Sequence, residues 1–200
     1  MKSPFNLDHQ NSSIESKIVV ALERISEAFR VLLWNESKEN SLSPIQIQIL
    51  IFLRFHSEDK CKVSYLADEF NMTKATISDS VKVLLKKELI QKFTNPSDTR
   101  SYLIGLTNKG KQVAEKSSNF TFNIEKPLTT LPDEQKKDIL AGLLKVIYQL
   151  NQTGVITIQR MCFTCSYYER TDNEHFCKLL QAKLTSKELR VDCPEHEYKK

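Results

Sequence analysis

The stretch that decides the fold is residues 66–113, which read LADEFNMTKATISDSVKVLLKKELIQKFTNPSDTRSYLIGLTNKGKQV. A short helical pattern ends at Phe70, Asn71 and Met72 can form a tight turn, and Thr73 can cap a second helix. The side chains of that second helix divide into two faces. The apolar face comprises Ile77, Val81, Leu84 and Leu85, and the polar face comprises Ala75, Ser78, Asp79, Lys82 and Lys86. The apolar face is expected to pack, which leaves the polar face free to meet a partner.

The residues after this helix change from a helical to a strand-like period. Residues 89–93 and 102–106 are short β-prone runs, and a turn-forming cluster at 95–100 separates them. This pattern predicts two strands and a protruding loop, a β-wing. Helix, turn, helix and wing is the order of a winged helix-turn-helix, in which the second helix of the motif enters the major groove of DNA. The predicted fold class is therefore mainly α with a small β-wing (α+β).

Long amphipathic helices are expected on both sides of this segment. Residues 13–37 carry apolar side chains at three- and four-residue steps, and residues 132–152 carry a similar stripe. Ser43 followed by Pro44 predicts the start of a further, strongly apolar helix. We therefore divide the chain into an N-terminal helix (1–38), a winged domain (39–110), C-terminal helices (111–154) and a cysteine-rich tail (155–200).

The positive charge is concentrated in the middle of the chain. The whole chain has a formal net charge of +4, and residues 61–116 carry ten Lys and Arg against six Asp and Glu. A local basic surface is expected where a protein meets a phosphate backbone, because binding there releases counterions. An ordinary solvated, lysine-rich face would give the same excess.

Residues 66–113 resemble the MarR family of bacterial regulators, and the resemblance covers roughly residues 40–150. Its most specific pieces are T-K-A-T-I-S from Thr73, D-x-R at Asp98 and Arg100, and L-T-x-x-G at Leu106, Thr107 and Gly110. The resemblance implies a winged-helix transcriptional regulator that binds DNA in a sequence-specific manner.

The resemblance further implies that the second motif helix and the wing tip contact DNA. Arg100 would reach the minor groove or its phosphates and be held by Asp98. Asp79 departs from the family pattern, since relatives often carry arginine there, although an acid can accept a hydrogen bond from a cytosine amino group. The implied DNA-binding residues are Thr73, Lys74, Thr76, Ser78, Lys82, Asp98 and Arg100. Simple helix capping is the alternative role for Thr73.

The family also implies that the first and last helices interlock two protomers. The sequence supports this independently, because the apolar stripes of residues 13–37 and 132–152 are wider than a domain of residues 61–107 could cover. A two-fold homodimer would present two of the DNA-contacting helices to a pseudo-palindromic operator, about one turn of DNA apart. The expected partners are double-stranded DNA and a second copy of the chain, with a small-molecule effector left open.

Four of the five cysteines fall in the tail, where they predict a metal site. A C-x2-C turn places two thiolates on one cation, and a structural zinc site needs four ligands. The expected zinc ligands are Cys162, Cys165, Cys177 and Cys193, with His175 and His196 as alternates. An iron-sulfur cluster and metal-free redox cysteines are the alternatives. We expect a structural role, because four protein ligands leave nothing to exchange; a sensing site would instead couple metal loss or oxidation to DNA release.

Other classes of protein receive less support from the sequence. No apolar run approaches the ~18 residues needed to cross a bilayer and the N-terminus lacks an export signal, so we expect a soluble cytoplasmic protein without membrane contact. Lone Cys61 is expected to be a packed residue.

A metal-dependent enzyme built on the tail is the main alternative to a DNA-binding regulator. Paired carboxylates at ligand spacing, a nucleophile motif and a phosphate loop are missing from the sequence, so we expect no enzyme. An interaction module that uses the winged domain as a scaffold is a third interpretation.

Overall fold

The structure, a computed structural model, describes residues 3–94, 102–171 and 174–199. Its helices are α1 (Leu7–Gln10), α2 (Ile14–Asn40), α3 (Pro44–Phe55), α4 (Val63–Glu69), α5 (Lys74–Lys86), α6 (Asn108–Ser118), α7 (Phe122–Thr129) and α8 (Asp133–Gln152). Its strands are β1 (Ile90–Thr94), β2 (Tyr102–Leu106), β3 (Tyr168–Thr171), β4 (Glu174–Cys177) and β5 (Ala182–Leu184). Short 3₁₀ turns lie at Glu58–Lys60, Asn119–Thr121 and Cys162–Thr164.

The winged helix-turn-helix predicted from the sequence is confirmed. In the turn between α4 and α5, Asn71 adopts a φ of 52°, a left-handed conformation that asparagine tolerates better than most residues. The strands β1 and β2 pair antiparallel, with Ile90 opposite Leu106. The remaining described elements are mainly helical, so the mainly α fold class with a small β-wing holds.

The core of the winged domain is built from the apolar faces of α3, α4 and α5, together with side chains from β1, β2 and α6. Its members include Ile47, Ile49, Leu50, Leu66, Ile77, Val81, Leu84, Ile90, Ile104 and Ala114. The wing joins this core through its own backbone, because Ile104 N donates to Cys61 O at 2.8 Å. Packing of one side of α5 into this core turns its polar side to solvent.

Helix α6 approaches the wing closely at Gly110. The Thr107 hydroxyl caps α6 by accepting from Gly110 N at 3.1 Å, and it donates to Glu88 O at 2.8 Å. A Cβ added to Gly110 would stand 1.8 Å from the carbonyl oxygen of Leu89. The L-T-x-x-G motif therefore has a structural role. Its threonine caps the start of α6, and its glycine lets α6 pack closely against the Leu89 carbonyl group.

The two long helices leave much apolar surface uncovered. Within the fully described helix α2, Ser37 is the one buried residue. Large exposed apolar residues are Ile14, Ile18, Val19, Ile25, Phe29, Val31 and Trp34 on α2, and Ile139, Leu143, Val146 and Leu150 on α8. No helix among the described residues is long and apolar enough to cross a membrane.

The tail forms a small sheet that shares a second core with α8. Strands β3, β4 and β5 are antiparallel neighbours in that order. Met161, Tyr168 and Leu189 of the tail are buried against Leu144 of α8. The sequence predicted neither this sheet nor this core, because part of the core's apolar side chains come from α8, including Leu140, Leu144 and Ile147.

Candidate nucleic-acid interface and cysteine cavity

The polar face of α5 begins at a capped and exposed helix end. Thr76 N donates to Thr73 Oγ1 at 3.1 Å, and the two hydroxyl oxygens lie 2.9 Å apart. Thr73, Lys74 and Thr76 are exposed, and Ser78 is half-buried. The capping role of Thr73 is thus confirmed, and the start of α5 offers hydroxyls, a lysine and a helix N-terminus, groups that suit phosphate.

Further along the same face, Lys82 forms an ion pair with Asp79. Lys82 Nζ lies 2.8 Å from Asp79 Oδ1, and the two side chains are 72% and 74% exposed. The hydrogen bond to Asp79 and its negative charge raise the pKa of Lys82. An exposed pair of this kind contributes little to stability. Lys82 can therefore leave Asp79 for a phosphate or a base edge at small cost.

The wing is described for its two strands. Its tip, including Asp98 and Arg100, lies outside the described residues, so the DNA contacts assigned to those two residues stay predictions. On the strands, Lys92 Nζ lies 4.0 Å from the ring centroid of Tyr102. No sequence motif pointed to Lys92, an exposed cation that packs against an aromatic ring on the wing.

The four tail cysteines line one cavity of about 420 Å³. Cys162 opens a 3₁₀ turn that Cys165 closes, and Cys165 N donates to Cys162 O at 3.0 Å. Cys177 ends β4, and Cys193 lies beyond β5. The rest of the lining is mixed: leucines and tyrosines alternate with charged residues, namely Tyr167, Tyr168, Leu179, Leu180, Leu184, Lys187, Glu188, Leu189, Arg190 and Glu195. The fold thus brings together four thiols from three separate parts of the tail.

Hydrogen-bond donors of Arg190 and the other cysteine side chains surround the sulfur atoms in this cavity. Arg190 donates from its backbone N to Cys162 Sγ at 3.2 Å and from Nη1 to Cys193 Sγ at 3.5 Å. Burial raises the pKa of Cys162, and the neighbouring thiolates Cys193, Cys165 and Cys177 raise it further, against a lowering effect of the Arg190 backbone hydrogen bond. A cation bound at Cys162 would counter both effects that raise its pKa, the burial and the negative charge of the other cysteines.

The cysteines are free thiols and do not form a closed metal site as they stand. All five cysteines of the chain are unpaired. Over residues 3–94, 102–171 and 174–199, no three His, Cys, Asp or Glu side chains are spaced to hold a metal ion. Metal binding would require the thiols that line the cavity to move closer together.

The two histidines named as alternate ligands point to other partners. His175 Nδ1 lies 2.6 Å from the Tyr168 hydroxyl, and His196 Nε2 lies 2.9 Å from Thr164 Oγ1. Neither is among the described residues that line the cavity. The structure therefore brings the four cysteines together and leaves both histidines out.

Lone Cys61 is a packed residue, as expected. It is 3% exposed in the core of the winged domain, and its Sγ lies 3.4 Å from Ser57 O. Burial raises the pKa of Cys61 to about 11. Its thiol is therefore protonated near neutral pH and poorly reactive.

Arg160 is a buried residue that joins the tail to the winged domain, and no sequence motif pointed to it. Arg160 is 6% exposed and forms ion pairs with Glu69 and Asp192, with N to O distances of 2.5 and 2.6 Å. Glu69 is 91 residues away along the chain. No local pattern in the sequence connects two side chains at that separation.

The helix-turn-helix, the wing and the open polar face of α5 define the class of protein: a winged-helix DNA-binding protein. Residues 40–101 match the model of the MarR family. The winged domain is thus similar to the MarR family, and the resemblance that its sequence motifs predicted is confirmed.

One curated relative and two solved structures are similar to this chain. Over 107 residues the chain is 24% identical to YhbI of Bacillus subtilis (strain 168), described as an uncharacterised HTH-type transcriptional regulator; the match covers 51% of this chain and 70% of YhbI. S. aureus MepR in its DNA-binding conformation has a TM-score of 0.59 at 24% identity and covers 66% of this chain and 98% of MepR. A MepR–DNA complex has a TM-score of 0.56 at the same identity, with 66% and 96% covered. These structures share the fold.

Proposed function

We propose that this chain is a sequence-specific transcriptional regulator of the MarR type that binds a pseudo-palindromic operator as a homodimer. One observation carries the proposal: α5 buries its apolar side in the winged core and exposes Thr73, Lys74, Thr76 and Lys82, the residues implied to contact DNA. The class of YhbI and the existence of a MepR–DNA complex support it. We call α5 the reading helix from here on.

The homodimer is supported by the open face of α8. Ile139, Leu143, Val146 and Leu150 recur at steps of four, three and four residues, which places them on one helical face. Each is between 37% and 45% exposed in the single chain. A two-fold partner that covers this stripe and the exposed residues of α2 would remove a large apolar area from water.

The first experiment measures DNA binding directly. The purified chain selects duplexes from a random-sequence library, and fluorescence anisotropy follows binding of a selected duplex as salt is raised. We expect affinity to fall steeply with salt, because phosphate contacts release counterions. Lys82→Ala is expected to lose roughly 1–3 kcal/mol if Lys82 contacts a base, and less, without sequence preference, if it contacts only phosphate.

Lys145→Ala provides the matched control, since Lys145 is an exposed lysine on α8 and the variant loses the same charge. It should bind with wild-type affinity. Arg100→Ala in the same assay tests the wing, with an expected loss of roughly 1–3 kcal/mol. Salt-independent binding, or wild-type affinity of both Lys82→Ala and Arg100→Ala, contradicts the proposal.

We also propose that Cys162, Cys165, Cys177 and Cys193 bind one zinc ion. Four soft thiol donors on one cavity, with Arg190 donating to two of them, support this donor set. A four-thiolate site has no open position for a substrate, so we propose a structural role and no enzymatic activity. Zinc would fasten β4 and the turn at Cys162–Thr164 to the segment around Cys193.

Elemental analysis of protein purified without an affinity metal tests the zinc proposal. We expect about one zinc per chain, and we expect Cys165→Ser to lose the metal and the resistance of the tail to proteolysis. Cys61→Ala is the control: it removes a thiol from a different core and should keep its zinc. Iron in place of zinc would indicate a cluster, and protein without metal would indicate redox or inert cysteines; both contradict the proposal.

The proposal also covers location and effector. A regulator of transcription acts where DNA is, so we propose a cytoplasmic protein. The resemblance to the family also leaves room for a small-molecule effector, for which we propose no binding residues.

A further inference from the structure

Lys92 lies on the face of the wing that is turned toward the core and the reading helix. It stands opposite Ile104 in the antiparallel pair, and Tyr102 lies two residues before Ile104 on β2. Side chains alternate along a strand, so these three residues project from the same face of the wing. Ile104 is 2% exposed, in the core that also contains Ile77 of the reading helix. Lys92 is exposed, so it stands where this face leaves the core and meets solvent.

The ring of Tyr102 fixes the position of the Lys92 ammonium. Lys92 Nζ lies 4.0 Å from the ring centroid, well inside the limit of about 6 Å for a cation–π contact. Tyr102 is half-buried and packs against the core of the winged domain, so the ring is itself held in place. An ammonium has three donors and a ring occupies only one side of it. The contact with Tyr102 is therefore compatible with a hydrogen bond from Lys92 to an anion.

The same ring lies close to the polar face of the reading helix. The pKa of Lys82 is raised by the hydrogen bond and the charge of Asp79, and in addition by the hydroxyl of Tyr102. An electrostatic effect weakens with distance, so Tyr102 is near Lys82 as well as in contact with Lys92. Two cations, one on the reading helix and one on the wing, thus lie around one aromatic ring.

The geometry of duplex DNA indicates what this junction would meet. A helix in the major groove lies between two phosphate strands, and one of these strands separates it from the adjacent minor groove. Arg100 of the wing is implied to reach that minor groove. The part of the wing between the reading helix and Arg100 must then pass over the phosphate strand. Lys92 belongs to that part, so the group that faces it is a backbone phosphate.

We propose that Lys92 binds a backbone phosphate of the operator, and that Tyr102 is a positioning residue that holds the Lys92 ammonium for this contact. The inference rests on the proposed DNA binding and adds a phosphate site between the reading helix and the wing. A phosphate contact fixes the register of a protein on the duplex and carries no sequence information directly. Lys92 therefore adds affinity for any duplex and seats the wing on the backbone.

The salt dependence of binding by Lys92→Gln tests the phosphate contact. Fluorescence anisotropy follows binding of the selected duplex, and of an unrelated duplex, as salt is raised. Each phosphate contact contributes roughly −0.9 to the slope of log K against log salt. Because both protomers lose one contact, the slope of K92Q should be shallower by roughly 1.8, with a similar fold-loss of affinity on both duplexes. Lys92→Arg keeps the charge and can stack on Tyr102, so it should retain the wild-type slope.

Lys145→Gln is the matched control, because it removes the same charge from an exposed lysine on α8 and should keep the wild-type slope. Urea unfolding of K92Q shows whether the Lys92–Tyr102 contact stabilises the wing. Loss of stability without loss of affinity would give the pair a purely structural role and overturns the inference. A wild-type slope of K92Q, or a loss of affinity confined to the selected duplex, also contradicts a phosphate contact.

A double-mutant cycle tests the role of Tyr102. Tyr102→Phe keeps the ring and should bind as wild type does. Tyr102→Leu removes the ring and keeps an apolar side chain against the core, so Lys92→Gln should cost less affinity in that background than in the wild type. An equal cost in both backgrounds refutes the positioning role of Tyr102.

Failure of the underlying proposal looks different. Wild-type protein that selects no duplex refutes DNA binding, and this inference with it, before any variant is made. A slope of K92Q that is shallower by only roughly 0.9 would indicate a single bound protomer. That result supports the Lys92 contact and contradicts the homodimer.

Discussion

Gly110→Ala is expected to lower the free energy of unfolding of the winged domain by roughly 3 kcal/mol. The added Cβ would lie 1.8 Å from the Leu89 carbonyl oxygen and 2.9 Å from the Leu89 carbonyl carbon. A backbone atom cannot rotate away as a side-chain tip can, so α6 must separate from the wing. Urea unfolding followed by circular dichroism measures the loss.

Gly142→Ala is the matched control for this substitution. Gly142 lies inside α8, and a Cβ there would meet no atom within 4 Å. Alanine is the better helix former, so this variant is expected to gain roughly 0.5–1 kcal/mol. Sedimentation confirms that both variants have the oligomeric state of the wild type. Equal stability of the two variants contradicts the role assigned to Gly110.

The winged domain was predictable because its signals are local. Thr73 caps its own helix three residues ahead, Asn71 sits in the turn that its sequence favours, and the apolar face of the reading helix follows from its spacing alone. The sequence also predicted that the four tail cysteines form one site, because clustered cysteines in a protein without an export signal indicate a metal or redox site. They do line one cavity, and their metal stays a proposal.

The packing of the tail was not predictable, because it depends on partners far apart in the chain. The stripe of α8 looked like one wide apolar surface in the sequence. The structure divides it, with Leu140, Leu144 and Ile147 packed against the tail and Leu143 on an open face. The ion pair between Arg160 and Glu69 is similarly hidden, since nothing near Arg160 in the sequence points to Glu69. Periodicity identifies apolar and polar faces and does not identify what covers them.

Leu143→Glu is expected to convert the homodimer to a monomer. Leu143 is 37% exposed in the single chain, in the middle of the open stripe that ends at Leu150. In a two-fold dimer a carboxylate there would be buried without a partner, at a cost that the remaining apolar contacts cannot offset. Because one reading helix then binds without its tethered partner, operator affinity is expected to fall by about 10²-fold or more.

Gln149→Glu separates loss of the dimer from a simple effect of charge. Gln149 is exposed on α8, away from the stripe of Ile139, Leu143, Val146 and Leu150, and the variant adds the same negative charge. Sedimentation at micromolar concentration should show a dimer for wild type and Gln149→Glu, and a 23.1 kDa monomer for Leu143→Glu. Circular dichroism should show that all three are folded, since Leu143 lies outside both cores. A wild-type monomer, or a Leu143→Glu variant that stays dimeric and keeps its operator affinity, removes the open face of α8 from the dimer interface.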